Sequence, residues 1–167
     1  MTATVRLRPA TDADWPLLRS WCRRPDIQAW WGPEAAMQAE INMALGSSLA
    51  KPRIIVADGE PIGYAQAVDA VLWGDAMPAG LPPGTWDLDI FIASERHRGQ
   101  GHGVAALVGL RDEVFATTLA GAISVVVSVR NERAVRAYEK AGFRWLKVCD
   151  DPDIGPAWIM LAERPQA

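Results

Sequence analysis

The stretch Arg98-Gly99-Gln100-Gly101-His102-Gly103 decides the fold of this 167-residue chain. Residues 86–93, which read WDLDIFIA, precede it, and their alternating apolar residues predict a strand. Apolar residues at helical spacing between Val104 and Phe115 follow it and predict a helix. A strand, a basic glycine-rich turn and a helix start form an anion site, because glycine lets the backbone approach a phosphate and the first helical N–H groups point towards it. Arg98 is expected to add a charge-assisted bond.

The sequence of this stretch argues against two common kinds of phosphate-binding loop. The stretch lacks the Gly-Lys-Ser/Thr ending with which a P-loop holds a nucleotide and its magnesium ion. Its glycines at 99, 101 and 103 also miss the wider last gap of the dinucleotide fingerprint. A pyrophosphate on some other carrier fits better, and a surface turn with a capping glycine is the alternative.

A second informative segment, residues 131–143, reads NERAVRAYEKAGF. Asn131 is a good N-cap and Gly142 a good C′ residue, so the segment predicts a short helix. Asn131, Ala134 and Tyr138 then lie on one face of it. Taken alone, this pattern also fits an amphipathic helix with a capping Asn and a core Tyr.

Together the two segments resemble the GCN5-related N-acetyltransferases. Residues 98–103 are similar to the acetyl-CoA pyrophosphate loop of that superfamily, and residues 131–143 to its Asn-x-x-Ala-x-x-x-Tyr-Glu-Lys-x-Gly-Phe segment. The resemblance implies an α/β fold with a mixed central sheet and flanking helices, one N-acetyltransferase domain over residues 1–167, and acetyl-CoA as the cofactor.

Closer resemblance is to the aminoglycoside 6′-N-acetyltransferases. Four segments carry it, and the similarity spans roughly residues 5–163: Trp30-Trp31-Gly32, residues 59–66 (GEPIGYAQ), Leu88-Asp89, and Gly155-Pro156-Ala157. The implied activity is acetylation of the 6′-amine of aminoglycoside antibiotics, which confers resistance.

Two residues are the catalytic candidates. Asp89, near the end of the strand that leads to the cofactor loop, matches the family's catalytic Asp and is expected to anchor the amine or act as its base. A solvated strand residue is the alternative. Tyr138 matches the superfamily's general acid for the leaving thiolate, since a phenol stays protonated at pH 7. A core Tyr is the alternative.

The resemblance also implies the binding residues. The cofactor is expected to contact Phe91, Ile92, Arg98, Gly99, Gln100, Gly101, His102, Gly103, Val104 and Asn131. The substrate is expected to contact Trp30, Trp31, Asp75, Asp89 and Asp153. Because two adjacent Trp side chains cannot both face one core well, one of Trp30 and Trp31 is expected to reach a pocket or a partner surface.

The sequence departs from the family where an aminoglycoside, a polycation, would need carboxylates. Asp75 keeps the Gly-Asp of the resistance enzymes, but residues 76–83 replace their Trp- and Glu-rich stretch, and Val126 takes the place of an acidic residue. The acidic run 150–153 either restores the charge or forms a solvated turn. Another amine, such as a polyamine, a siderophore precursor or a peptide amine, is therefore an open alternative. A non-catalytic acyl-CoA-binding module is a third, against which Asp89 and Tyr138 argue.

Composition bounds the class of protein. Half of the residues are apolar, 22% are charged, and no apolar run reaches the roughly 20 residues of a membrane helix or forms a signal core. We therefore expect a cytoplasmic enzyme acting on a small-molecule amine, as a monomer or homodimer, without a membrane partner. The net charge of −3 argues against nucleic acid. The two Cys and two His residues lack metal-site spacing, so no metal and free thiols are expected.

The order of elements predicts a mixed sheet. Strands are predicted over 5–8, 53–57, 61–68, 86–93, 122–129, 143–148 and 157–161. Residues 5–8 and 86–93 alternate, Asp58-Gly59 suits a hairpin turn, and a near-continuous β-branched run marks 122–129 as a buried central strand. Helices are predicted from Thr11 to a break at Pro25, over 33–45, after the glycine-rich loop, and after Asn131. A long loop is predicted over 74–84.

Overall fold

The structure, a computed structural model, describes residues 4–78 and 80–166 without the side chains of Trp73, Asp75 and Ala76. The expected substrate contact of Asp75 therefore lies outside the described side chains. Residues Ala70–Ala76 form 3₁₀ turns, so the loop predicted from Gly74 starts inside them.

Seven strands form one mixed sheet in the described chain, which confirms the predicted α/β fold. They are β1 (Val5–Pro9), β2 (Ala50–Ala57), β3 (Glu60–Asp69), β4 (Thr85–Ile92), β5 (Ala122–Ser128), β6 (Arg144–Asp151) and β7 (Gly155–Glu163). Their order across the sheet is β1-β2-β3-β4-β5-β7-β6. Only β4 and β5 pair in parallel, and the other neighbours are antiparallel.

Within the described residues, five α-helices pack on the sheet. They are α1 (Trp15–Cys22), α2 (Pro25–Trp31), α3 (Glu34–Leu45), α4 (His102–Thr117) and α5 (Glu132–Lys140). Helix α2 was not predicted, because Pro25 was expected to break the helix that begins at Thr11. At the first position of a helix its missing N–H costs nothing and its fixed φ suits the turn, so Pro25 begins α2. No helix of the described chain is long and apolar enough to cross a membrane.

The hairpin of β2 and β3 sets the position of β4. Asp58 and Gly59 have φ angles of 51° and 79°, the left-handed pair that a tight two-residue turn requires. Further along β3, a Cβ on Gly63 would lie 2.2 Å from the carbonyl oxygen of Phe91. Only glycine therefore allows β3 and β4 to approach so closely at the outer end of β4.

The two faces of the sheet carry different cores. Leu88 of β4 belongs to a cluster with residues of α4 and α5, whereas Phe91 belongs to a cluster with residues of α1, α2 and α3. Because side chains alternate along a strand, Asp87 and Asp89 share the face of Phe91. Both clusters bury Leu and Ile side chains completely, each worth about 1.5–3 kcal/mol.

A gap opens between β4 and β5. β4 pairs with β3 from Trp86 to Ile92, but with β5 only from Thr85 to Asp87. Beyond the pair Asp87–Ser124 the two parallel strands part. The outer halves of both strands then become walls of a cavity rather than neighbours in the sheet.

Candidate active site

The cavity where β4 and β5 part has a volume of about 980 Å³. Its walls come from α2, α3, the outer half of β4, the loop before α4, β5, α5 and the turn between β6 and β7. Most predicted site residues with described side chains line it. They are Trp30, Trp31, Asp89, Phe91, Ile92, Arg98, Gly99, Gly101, Gly103, Val104, Asn131, Tyr138 and Asp153.

The glycine-rich loop turns its backbone towards this cavity. Gly99 and Gly101 have φ angles of 72° and 83°, which disfavour any other residue type, and Gly101 is the N-cap of α4. The first N–H groups of α4 have no partner within the helix, so an anion in the cavity would meet them.

Two predicted cofactor residues, Gln100 and His102, are not part of this wall. The Gln100 amide donates to the carbonyl of Arg96. The His102 ring is buried, with its centroid 5.4 Å from that of His97, which does line the cavity. Contact between a ligand in the cavity and these two side chains is therefore not supported by the structure.

The guanidinium of Arg98 has partners that the sequence did not predict. Its Nε donates to the carbonyl of Ile92 at 2.9 Å, and one terminal nitrogen donates to Asp26 Oδ2 at 2.8 Å. The group that was expected to bind a phosphate is thus held between the end of β4 and the start of α2.

Basic side chains of α5 form another part of the wall. Arg133, Arg136 and Lys140 line the cavity and are solvent-exposed. None of the three was a predicted site residue, although their spacing was an available signal, because residues three and four apart share one helix face. Together with the loop, they make one end of the cavity attractive to phosphates.

The opposite end is acidic. Burial first, and then the charge of Asp151, raise the pKa of Asp89 to about 7. Burial first, and then the charges of Asp89, Asp153 and Asp151, raise the pKa of Glu40 on α3 to about 8. Glu40 was missed, yet it lies four residues before the buried Ala44 and three after the buried Met37. A carboxylate on the apolar face of a helix was the available signal.

Asp87 is a further carboxyl at the apex of the gap. It is buried, and Ser124 Oγ donates to its Oδ1 at 2.9 Å. Burial first, and then the charge of Asp89, raise its pKa well above the ordinary value. Asp87 was not among the predicted site residues, although it lines the cavity two positions before Asp89.

The run 150–153 is both a turn and a cavity wall. Asp151 Oδ1 accepts the N–H groups of Asp153 and Ile154 at 2.8 and 3.1 Å, as a turn-capping Asp does. The turn also packs on the end of α2, where a Cβ on Gly32 would lie 3.0 Å from the Asp153 Cβ. The turn expected as an alternative thus does exist, and it carries its carboxylates to the cavity.

The two tryptophans differ in exposure. Trp31 Nε1 donates to the carbonyl of Ile90 at 3.1 Å, and its ring meets Phe91 edge-on at 5.1 Å. Trp30 is 40% exposed. Both line the cavity, with Trp31 fixed in place by β4.

Tyr138 approaches the gap from the other face of the sheet. It belongs to the core cluster of Leu88 and meets Phe143 edge-on at 5.7 Å. Burial first, and then the charges of Asp89 and Asp87, raise its pKa above the ordinary value, so the phenol keeps its proton. Near it, Asn131 Oδ1 accepts the N–H of Ala134 at 3.2 Å, which makes Asn131 the N-cap of α5 as predicted.

This arrangement suits transfer between an anionic carrier and a cationic acceptor. One end offers helical N–H groups and basic side chains, and the other offers carboxyls. Between them, a carboxyl with a pKa near neutrality and a protonated phenol reach the same gap from opposite faces of the sheet. Among the described residues, no group of three or more His, Cys, Asp or Glu is arranged to hold a metal ion.

Comparison with known proteins identifies the family. The model of the acetyltransferase (GNAT) domain matches residues 10–150. The chain belongs to the GNAT acetyltransferase family. The aminoglycoside N(6′)-acetyltransferases type 1 of Klebsiella pneumoniae and Serratia marcescens are each 33% identical to this GNAT chain over 169 residues, and the match covers 96% of this chain and 84% of the relative.

Solved structures agree with this membership. The aminoglycoside acetyltransferase AAC(6′)-Ib in complex with coenzyme A and kanamycin is 32% identical, with a TM-score of 0.83, and the match covers 96% of this GNAT chain and 95% of that one. The same enzyme in complex with paromomycin and acetyl-CoA also has a TM-score of 0.83 and 32% identity, with 96% and 94% covered.

Proposed function

We propose that this GNAT protein transfers an acetyl group from acetyl-CoA to the 6′-amine of aminoglycosides. The single observation that carries the proposal is the polarity of the cavity, which has an anion-binding end and an acidic end that meet at Asp89. The relatives described above support the choice of donor and acceptor.

The phosphate end suits acetyl-CoA. The pyrophosphate would bind the N–H groups of the loop from Gly99 to Val104, and the basic side chains of α5 would attract the remaining phosphate charge. The acyl arm would then pass into the gap between β4 and β5, past Phe91, Ile92 and Asn131.

The acidic end suits a molecule with several ammonium groups. Glu40, Asp89, Asp151 and Asp153 come from three separate parts of the chain and face one space. Carboxylates gathered in this way repel one another, and a polycation relieves the repulsion. Trp30 and Trp31 would supply flat apolar surface beside the sugar rings.

The chemistry needs one base and one acid. Asp89 would take a proton from the ammonium group, so that the neutral amine attacks the thioester carbonyl carbon. The C–N bond forms, the C–S bond breaks, and Tyr138 would give its proton to the departing thiolate. The second proton of the attacking nitrogen would leave as the amide forms and return through solvent to the phenolate of Tyr138.

A linear polyamine is the second candidate acceptor. Val126 puts an apolar surface on the cavity wall where the aminoglycoside enzymes place an acid, which favours a smaller or less charged amine. Thiol release from acetyl-CoA, measured with kanamycin, tobramycin and spermidine, separates the candidates. We expect turnover of both aminoglycosides. Turnover of spermidine alone would replace the acceptor, and acetyl-CoA binding without any turnover would reduce the protein to a binding module.

A further inference from the structure

Asp26 connects three parts of the chain: α2, the loop before α4 and, through two arginines, the end of β4. The proposed activity gives this residue no role. It is in the first turn of α2, and its carboxylate accepts bonds from two guanidinium groups. Arg24 donates to Oδ1 at 3.1 Å and to Oδ2 at 2.7 Å, and Arg98 donates to Oδ2 at 2.8 Å. The bond from Arg24 is the largest cause, burial opposes it, and the bond from Arg98 adds to it, so the pKa of Asp26 is lowered to about 2 and the carboxylate stays charged.

Both arginines also donate hydrogen bonds to main-chain carbonyls at the end of β4. Arg98 donates to the carbonyl of Ile92, and Arg24 donates to the carbonyl of Ala93. Trp31, at the other end of α2, donates to the carbonyl of Ile90. The helix that carries Trp30 and Trp31 is therefore fastened to β4 at both ends, and the fastening at its start also holds the first residue of the cofactor loop.

We propose that Asp26 is a positioning residue that fixes the cofactor loop through Arg98. This inference rests on the proposed function, because it assigns the loop to acetyl-CoA. A loop whose N–H groups must all point at one pyrophosphate binds best when its conformation exists before the ligand arrives. Arg98 serves that end by being held at Asp26 and Ile92, rather than by reaching a phosphate.

The Asp26 carboxylate has two opposing effects on the binding of acetyl-CoA. A negative charge near the cavity disfavours a phosphate, but removing it leaves the guanidinium groups of Arg24 and Arg98 facing each other. Glu95, 3.7 Å from Arg24, gives that arginine a second carboxylate, so Arg98 is the one displaced. We expect the loss of loop order to outweigh the relief of repulsion.

The test compares Asp26→Asn, Arg98→Gln and the double variant in the full chain, by calorimetry with acetyl-CoA and by steady-state kinetics. Each single variant is expected to raise the Kd about tenfold, with kcat at saturating substrates within about twofold of wild type. The double variant should bind no more weakly than either single one, because both changes remove the same contact.

Asp14→Asn is the matched control. Asp14 accepts two bonds from Arg8, at 2.8 and 3.0 Å, and neither residue lines the cavity. That variant loses a comparable ion pair and should leave the Kd for acetyl-CoA unchanged. Comparing Tm across the set separates a general loss of stability from a loss of loop order.

Three results would overturn the proposal. An unchanged Kd in Asp26→Asn would remove Asp26 from any role in the loop. Tighter binding in Asp26→Asn with weaker binding in Arg98→Gln would make Arg98 a phosphate ligand that the carboxylate restrains. Additive losses in the double variant would mean independent roles. If the wild-type protein does not bind acetyl-CoA, the proposed function fails instead, which is a separate result.

Discussion

At the scale of single residues, the carboxyl of Asp89 shows how burial prepares a group for chemistry. Its pKa of about 7 comes first from burial and then from the charge of Asp151. A base with that pKa accepts a proton readily yet is ionised in a useful fraction at neutral pH. On the other face of the sheet, burial also raises the pKa of Tyr138. There it serves an acid rather than a base, because it keeps the phenol protonated.

Replacing Asp89 by Asn keeps the size of the side chain and removes its charge and basicity. We expect kcat/KM for kanamycin to fall at least about 10²-fold, partly through weaker amine binding, while the Kd for acetyl-CoA stays near wild type. In the wild-type protein, kcat/KM should rise with pH through about 7, since the carboxyl is protonated and inactive below that value. A variant that keeps both the rate and the rise would exclude Asp89 as base and anchor.

Replacing Tyr138 by Phe removes one hydroxyl from a buried ring. If the phenol protonates the thiolate, kcat should fall about 10²-fold while the KM values change little, because the loss is confined to the transition state. Single-turnover kinetics with saturating acetyl-CoA measures the chemical step without product release. An unchanged single-turnover rate would return Tyr138 to a packing role against Phe143.

At the scale of elements, the start of α4 combines a local signal with a tertiary one. The glycines expected to let the backbone approach a phosphate adopt left-handed angles at 99 and 101, whereas Arg98 is held by a contact from α2. A substitution at Gly101 would strain the backbone as well as disturb the ligand. Gly103 is the better probe, since its φ is ordinary and a Cβ there would meet only Ile92, at 3.9 Å.

Gly103→Asp should separate ligand binding from folding. An acid in the first turn of a helix is favourable, so Tm should not fall, yet the charge faces the pyrophosphate. We expect the Kd for acetyl-CoA to rise at least about 10²-fold by calorimetry. Ala105→Asp puts the same charge in the same turn at an exposed position outside the cavity wall, and should change the Kd less than about threefold. Equal effects of both variants would mean that the pyrophosphate lies elsewhere.

The same elements show what the sequence could predict. Alternation, a β-branched run, turn residues and helical spacing predicted the seven strands and four of the helices, because these patterns report which faces of an element are buried. The seven-residue α2 escaped, since so short a helix shows almost no period and Pro25 serves equally to end or begin one. Glu40 and Asp87 were not predicted as site residues for another reason, because only tertiary packing brings them to their neighbours in the cavity. The hydrogen bond from Arg98 to Asp26 could not be predicted for the same reason.

At the scale of the whole molecule, the acidic end of the cavity opposes folding. Asp89 and Glu40 hold protons more tightly in the folded chain than in the unfolded one, where their pKa values are about 4. Protonation therefore favours the folded state fully below about pH 4. That contribution is lost as the pH rises through about 7 for Asp89 and about 8 for Glu40.

The stability of the ligand-free protein should accordingly fall between about pH 5 and about pH 8. Glu40→Gln removes one of the titrating groups, so it should flatten the decline and raise Tm at about pH 8 by roughly 2–4 °C. Asp69→Asn, at the end of β3 and outside the cavity wall, is the control for charge loss. If the Tm of Glu40→Gln followed the wild-type Tm in parallel at every pH, Glu40 would not be one of the groups whose ionisation opposes folding.

The central claim is transfer of an acetyl group to a 6′-amine. Neomycin and paromomycin test it most directly, because they differ only in carrying an amine or a hydroxyl group at that position. With acetyl-CoA saturating, thiol release should be rapid with neomycin and close to background with paromomycin, since the cavity would bind both polycations but only one presents the nucleophile to Asp89. Equal rates with the two, or no turnover of neomycin by protein that binds acetyl-CoA, would contradict the account.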